Sequence, residues 1–124
     1  MSEPHVIRLR GPWFLQPNAD GAAKVKGTTG KPWREFLGEY TGTVTYRRNF
    51  NRPTNLAGER VVLVVSEAIG ELAIALNSQS VNVEPNLPIR TDISNWLESF
   101  NELTIDVSHD SSAGMVGEVW LEIG

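Results

Sequence analysis

Apolar and polar positions alternate most regularly over Gly42–Asn51. Val44, Tyr46, Arg48 and Phe50 share one face, and Thr43, Thr45, Arg47 and Asn49 share the other. A period of two is that of a half-buried strand. Arg48 is the exception on the apolar face, and Arg52-Pro53-Thr54-Asn55 ends the run. The same period predicts strands over residues 71–77, with Leu72, Ile74 and Leu76 inward, over 103–107, with Leu103, Ile105 and Val107 inward, and over 117–123. In the last of these Val119, Leu121 and Ile123 face one way, and Glu118, Trp120 and Glu122 the other. Residues 60–65 are apolar without alternation after Arg60, which predicts a central strand covered on both faces. Residues 6–9 and 24–28 predict shorter strands. Asn77-Ser78-Gln79-Ser80 reads as a hairpin turn leading into Val81 and Val83. Thr91-Asp92 is placed to cap a brief helix on which Trp96 and Phe100, at i and i+4, share a face.

Eleven glycines and seven prolines separate these runs along the whole length. That punctuation is typical of an all-β sandwich or barrel. Residues 18–39 carry four glycines and no sustained period, so this segment is expected to wrap the body, anchored by Trp33, Phe36 and Leu37. The expected fold is all-β: an antiparallel β-sandwich of about eight strands with one short helical turn, forming a single domain over residues 1–124.

Composition narrows the chemistry. The chain has 124 residues, enough for one core and about half of what a barrel of eight βα units requires. It has no cysteine, which excludes disulfide scaffolds, thiol catalysis and cysteine-based zinc sites. The net charge of −4 argues against a nucleic-acid partner. No run approaches 18 consecutive apolar residues, so no membrane partner is expected. Residues 1–10 do not look like a signal peptide, and the default expectation is a cytoplasmic location.

Five segments, in order, carry a resemblance. They are Tyr46-Arg47-Arg48-Asn49-Phe50, the stretch from Leu56 to Leu63, Ala73-Ile74-Ala75-Leu76-Asn77, Thr91-Asp92-Ile93-Ser94-Asn95-Trp96-Leu97, and Asn101-Glu102-Leu103-Thr104-Ile105-Asp106-Val107. Together they resemble the sugar-binding domain of glycoside hydrolase family 2, a jelly-roll of the galactose-binding-like superfamily. The chain departs from that family at Ser78, where the family has glycine, and over residues 82–88, which replace a glycine-rich segment. In some family members that loop lends a carboxylate to the sugar site of a neighbouring barrel, and Glu84 is the residue here that matches it. The family's catalytic carboxylates lie on a barrel this chain does not contain. The resemblance therefore implies a non-catalytic carbohydrate-binding-like module, not an enzyme. The alternative is a structural or protein-interaction sandwich without a sugar site, working with a separate protein partner.

The candidate chemistry is sparse. Trp13, Trp33, Tyr40 and Trp120 are the rings on which a sugar's C–H face would stack. The expected ligand surface is shallow, lies at the loops, and uses Trp33, Arg34, Glu84, Asn86 and Trp120. Arg48 is expected to be a structural cation, bonded to backbone carbonyls or to a carboxylate such as Asp92 or Asp106. Arg47, Arg48 and Arg52 lie among Tyr46 and Phe50, but alternation splits Arg47 and Arg48 onto opposite faces. Ser108-His109-Asp110 reads as a polar loop, because a hydrolytic triad is assembled in space and not by adjacency. Gly27-Thr28-Thr29-Gly30-Lys31 lacks the first glycine of a phosphate loop and has Pro32 where Ser or Thr is required, so it reads as a turn. The two histidines are far apart and no dense acidic loop occurs, so no cofactor or catalytic metal is expected; a structural calcium ion is compatible with the scattered acids but not indicated.

Overall fold

The computed structural model describes residues 5–54, 56–81, 83 and 86–124. Among them twelve strands form three antiparallel sheets. The six-stranded sheet has the order β3-β2-β4-β10-β7-β8, built from Val25–Gly27 (β3), Trp13–Pro17 (β2), Gly42–Asn51 (β4), Phe100–His109 (β10), Glu71–Leu76 (β7) and Gln79–Val81 (β8). The four-stranded sheet has the order β1-β12-β5-β9, from His5–Arg8 (β1), Val119–Ile123 (β12), Val61–Val65 (β5) and Ile89–Asp92 (β9). Ala68–Ile69 (β6) and Met115–Val116 (β11) pair as a small ribbon. A short helix, Arg34–Leu37 (α1), lies within the segment read as irregular, and a 3-10 turn spans Ser94–Trp96. The architecture is the expected antiparallel sandwich.

The core is formed by the alternating positions. Val44, Tyr46 and Phe50 of β4 and Leu103, Ile105 and Val107 of β10 face Val61, Leu63 and Val65 of β5 and Leu121 of β12, all within one buried cluster. The register of β4 against β10 sets Tyr46 opposite Ile105 and Val44 opposite Val107. Each such side chain taken from water contributes about 1.5–3 kcal/mol. Trp13 and Trp33 complete the cluster without exposed surface. Trp33 donates its indole N–H to the Tyr46 hydroxyl at 3.0 Å, and its ring meets Tyr40 edge-on at 5.8 Å. Gly114 permits this, because a Cβ there would sit 2.7 Å from the Trp33 ring.

Several local readings change. Trp96 ends the 3-10 turn and Phe100 opens β10, so the two rings share no helical face. Thr91-Asp92 belongs to β9; Asp92 still receives the Ser94 N–H at 2.9 Å, an Asx-type turn after the strand. Ser108 and His109 lie in β10 and not in a loop, because β10 runs its full ten residues against β4. Met115–Val116, Ala68–Ile69 and Ile89–Asp92 are strands the period did not show, being too short to display one. The hairpin between β7 and β8 pairs Leu76 with Gln79, which leaves Asn77 and Ser78 as a two-residue turn with φ of 53° and 68°. Positive φ at both positions is the I′ geometry that suits the right-handed twist of paired strands.

Burial pushes the Tyr46 phenol from its ordinary 10.0 up to about 12, and hydrogen bonding by Trp33 and the Val116 backbone offsets part of that rise. A phenol that holds its proton more tightly when folded contributes stability in full below pH 10, and loses it as pH climbs through about 12. Urea unfolding at stepped pH should show stability falling across that window. Tyr46→Phe, though less stable at neutral pH, should give a flatter alkaline limb. Equal slopes for the two proteins would contradict this account.

Candidate functional site

Among the described residues no cavity is lined by more than one of Trp33, Arg34, Asn86 and Trp120. Trp33 has no exposed surface and its N–H is satisfied inside the core, so no face of the ring is open to a sugar. This corrects its reading as a stacking platform, and Trp13, also without exposed surface and bonded to the Leu9 carbonyl at 2.9 Å, is corrected with it. Tyr40 is partly buried; its hydroxyl donates to the Thr43 carbonyl at 2.9 Å. Arg34 is exposed at the start of α1, with its backbone N–H on Ser112. Asn86 is exposed between β8 and β9. Glu84 lies outside the described residues.

Trp120 sits on the outer face of the four-stranded sheet, in register with Arg8 on one side and Val64 on the other. Its indole N–H donates to Glu122 at 3.0 Å, and the Arg8 guanidinium stands 5.8 Å from the ring centroid. Glu122 also pairs with Arg90, and these two partners, Arg90 first, hold its carboxyl below the usual carboxylate range. Val64 has no exposed surface although it belongs to this outer face and not to the core cluster. Trp120 and Arg90, its register neighbours, therefore serve as a cover for Val64. The N-terminal strand lies beside Trp120 in the same sheet, and its Arg8 side chain approaches the ring, which stays partly exposed. No hydrogen bond or ion pair joins Arg34, Asn86 and Trp120 among the described residues.

Arg48 donates through Nε to the Arg10 carbonyl at 2.6 Å and through Nη1 to the Asn49 carbonyl at 2.9 Å. Neither Asp92 nor Asp106 is its partner. Asp106 accepts from Thr45 at 2.6 Å, and hydrogen bonds from Ser94 hold the Asp92 carboxyl below its usual range. Arg48 is half-buried, and that burial lowers its affinity for the proton.

The arrangement with most chemistry lies on the outer face of the six-stranded sheet. Alternation turns Thr43, Thr45, Arg47 and Asn49 outward on β4, opposite Ser108, Asp106, Thr104 and Glu102 on β10. The rows are cross-linked: Thr43 to Ser108 at 2.8 Å, Thr45 to Asp106, and Arg47 to Glu102 at 3.6 Å. The register puts Phe14 of β2 beside Arg47. Here β2 begins at Trp13 while β4 runs on to Asn51, so the sheet has a notch on that side. A cavity of about 510 Å³ occupies it, lined by Phe14, Lys24, Arg47, Arg48, Asn49 and Glu102, with Pro12 at its margin. Phe14 is 37% exposed, and the Lys24 ammonium stands 4.8 Å from its ring centroid. An accessible ring beside cations, an amide and a carboxylate can hold a small polar ligand.

The sequence reading did not single out Phe14, Lys24, Asn49 or Glu102. One signal was available. Trp13-Phe14-Leu15 is apolar three times in succession. A strand cannot turn three consecutive side chains to one face, so the middle ring must point outward.

A second cavity, about 440 Å³, opens between the edges of the two sheets beside Leu72, Val83, Leu87 and Ile89, with Glu71 at its rim. Its walls are mainly apolar. Among the described residues no group of three His, Asp or Glu side chains is placed to hold a metal ion. Among the described residues no helix is long and apolar enough to cross a membrane. Ser108 is engaged with Thr43, and His109 stands 3.8 Å from Asp110, which is fully solvated. That geometry assembles no nucleophile–base pair.

No protein-family model and no curated protein matches the sequence. Solved structures do match the fold. An FMN-binding β-glucuronidase from Faecalibacterium prausnitzii L2-6 superposes with a TM-score of 0.81 at 23% identity, over 98% of this chain and 23% of its own. A β-glucuronidase of Ruminococcus gnavus gives 0.83 at 13% identity, over 99% of this chain and 28% of its own. That of Bifidobacterium dentium gives 0.80 at 18% identity, over 99% and 30%. The chain thus spans 23–30% of the length of these enzymes. At such identities the likeness is one of fold.

Proposed function

We propose that this chain is a non-catalytic accessory domain that binds carbohydrate at the Phe14 notch of the six-stranded sheet. The observation that carries the reading is the exposed Phe14 ring set among Arg47, Asn49 and Glu102 in one cavity. A sugar presents a C–H face to such a ring and hydroxyls to the polar groups around it. The whole-length likeness to part of several β-glucuronidases supports an accessory role.

Calorimetry against a panel of neutral and acidic mono- and oligosaccharides tests the proposal. At least one class is expected to bind, and Phe14→Ala should weaken it roughly tenfold, which corresponds to about 1.4 kcal/mol. Phe14 is outside the core, so this variant should unfold near the parent temperature. No binding by any sugar, or binding indifferent to Phe14, would overturn the assignment.

A second reading, a protein-interaction sandwich, draws on Phe100, which is 61% exposed at the start of β10. It would gain if the sugar panel were silent and Phe100→Ser abolished co-purification of one defined partner.

A further inference from the structure

Charge in the Phe14 notch is unbalanced. Lys24, Arg47 and Arg48 line it against the single carboxylate of Glu102. Glu102 is engaged with Arg47. Among the described residues Lys24 and Arg48 have no carboxylate partner: the Lys24 ammonium stands over the Phe14 ring, and Arg48 donates to neutral carbonyls. The local excess of two positive charges stands in a chain whose net charge is −4. An ammonium without a carboxylate partner is stabilised by an anion, because charge-assisted hydrogen bonds to carboxylate or sulfate oxygens are stronger than neutral ones.

We infer that the ligand of this notch is an acidic sugar, whose carboxylate or sulfate is held by Lys24 on the outer face while its ring stacks on Phe14. The inference rests on the carbohydrate reading of the same site. A sugar fits better than a polynucleotide for three reasons. The cavity, about 510 Å³, holds a unit of small-molecule size and offers a single exposed ring. Single-stranded nucleic acid needs a basic track several nucleotides long with successive stacking rings. The outer face beyond the notch carries Asp106 and Glu71, both exposed, which would repel a continuing phosphodiester chain. Asn49 and Glu102, by contrast, supply the amide and the acceptor that sugar hydroxyls use.

The test is calorimetry with trigalacturonic acid, its neutral methyl ester, a sulfated disaccharide and an oligothymidylate, each at 20 and 200 mM salt. One of the two acidic sugars is expected to bind at least tenfold more tightly than the neutral ester and to weaken as salt rises; which of them binds identifies the anionic group. Lys24→Gln should bring the ratio of acidic to neutral affinity close to one, whereas Lys31→Gln, which removes a charge away from the notch, should leave the ratio as it was. Equal affinity for acid and ester would overturn the anionic assignment and leave the carbohydrate reading standing. Tighter binding of oligothymidylate than of either acidic sugar would overturn it in favour of nucleic acid. Silence from all four probes, with no neutral sugar bound in the wider panel, would remove both readings.

Discussion

Replacing Trp33 with alanine is expected to cost about 4–5 kcal/mol, near the top of the range for large-to-small core changes. The indole has no exposed surface, packs against Tyr40 and Gly114, and satisfies the Tyr46 hydroxyl. Its loss opens a cavity the size of two fused rings and takes a hydrogen bond from a buried phenol. Domains of this size have about 5–15 kcal/mol in total, so the variant should melt well over 10 °C below the parent or fail to fold cooperatively. Trp33→Phe should fall between, because it keeps part of the ring and loses the N–H. Thermal and urea unfolding of both variants give the comparison. A sugar-stacking Trp33 would behave the other way, with stability nearly unchanged and ligand affinity lost; that result would refute its place in the core.

The second large effect is expected at Asn101, the one buried polar side chain in the described core. Its amide uses its full hydrogen-bonding capacity. Oδ1 accepts from the Glu98 N–H at 2.8 Å and from Asn77 Nδ2 at 3.0 Å, and Nδ2 donates to the carbonyls of Glu98 at 2.9 Å and Phe50 at 3.4 Å. Asn77 in turn accepts the Glu102 N–H at 2.9 Å. Asn101→Ala strands several of these groups at once, and each buried unsatisfied group costs about 1–3 kcal/mol, so a loss of about 3 kcal/mol or more is expected. A double-mutant cycle with Asn77→Ala should show a coupling of at least about 1 kcal/mol. Strict additivity would mean that the two amides do not act as one network.

This network explains why two of the resemblance motifs can be read at all. The asparagine that ends the Ala73–Asn77 motif and the one that begins the Asn101–Val107 motif clasp each other across the sandwich end. They tie the β7–β8 turn to the chain entering β10 and to the Trp96 carbonyl. Their role is structural: they hold a turn whose central residues have positive φ. Motifs of this kind identify a fold without identifying a ligand, and the resemblance accordingly told more about the sandwich than about its site.

The strands that carry most of the core were legible because alternation is a local property. The face presented by Val44, Tyr46 and Phe50, or by Leu103, Ile105 and Val107, follows from the period of the backbone whatever it packs against. The absence of cysteine likewise restricted the chemistry without any structure. What tertiary structure alone decided was which outward and loop residues meet. Residues 18–39 have no period, and Trp33 could be read there both as an anchor and as a stacking ring; the docking of its segment against residues 112–114 decided for the anchor. The notch joins Phe14 and Lys24 to Arg47, Asn49 and Glu102 from four different strands and loops, brought side by side by the β2–β4–β10 order. Pairing order between strands distant in sequence is set by the global burial of their inner faces. The chemistry of an outer face is a by-product of that choice, and for this reason no local pattern could announce it.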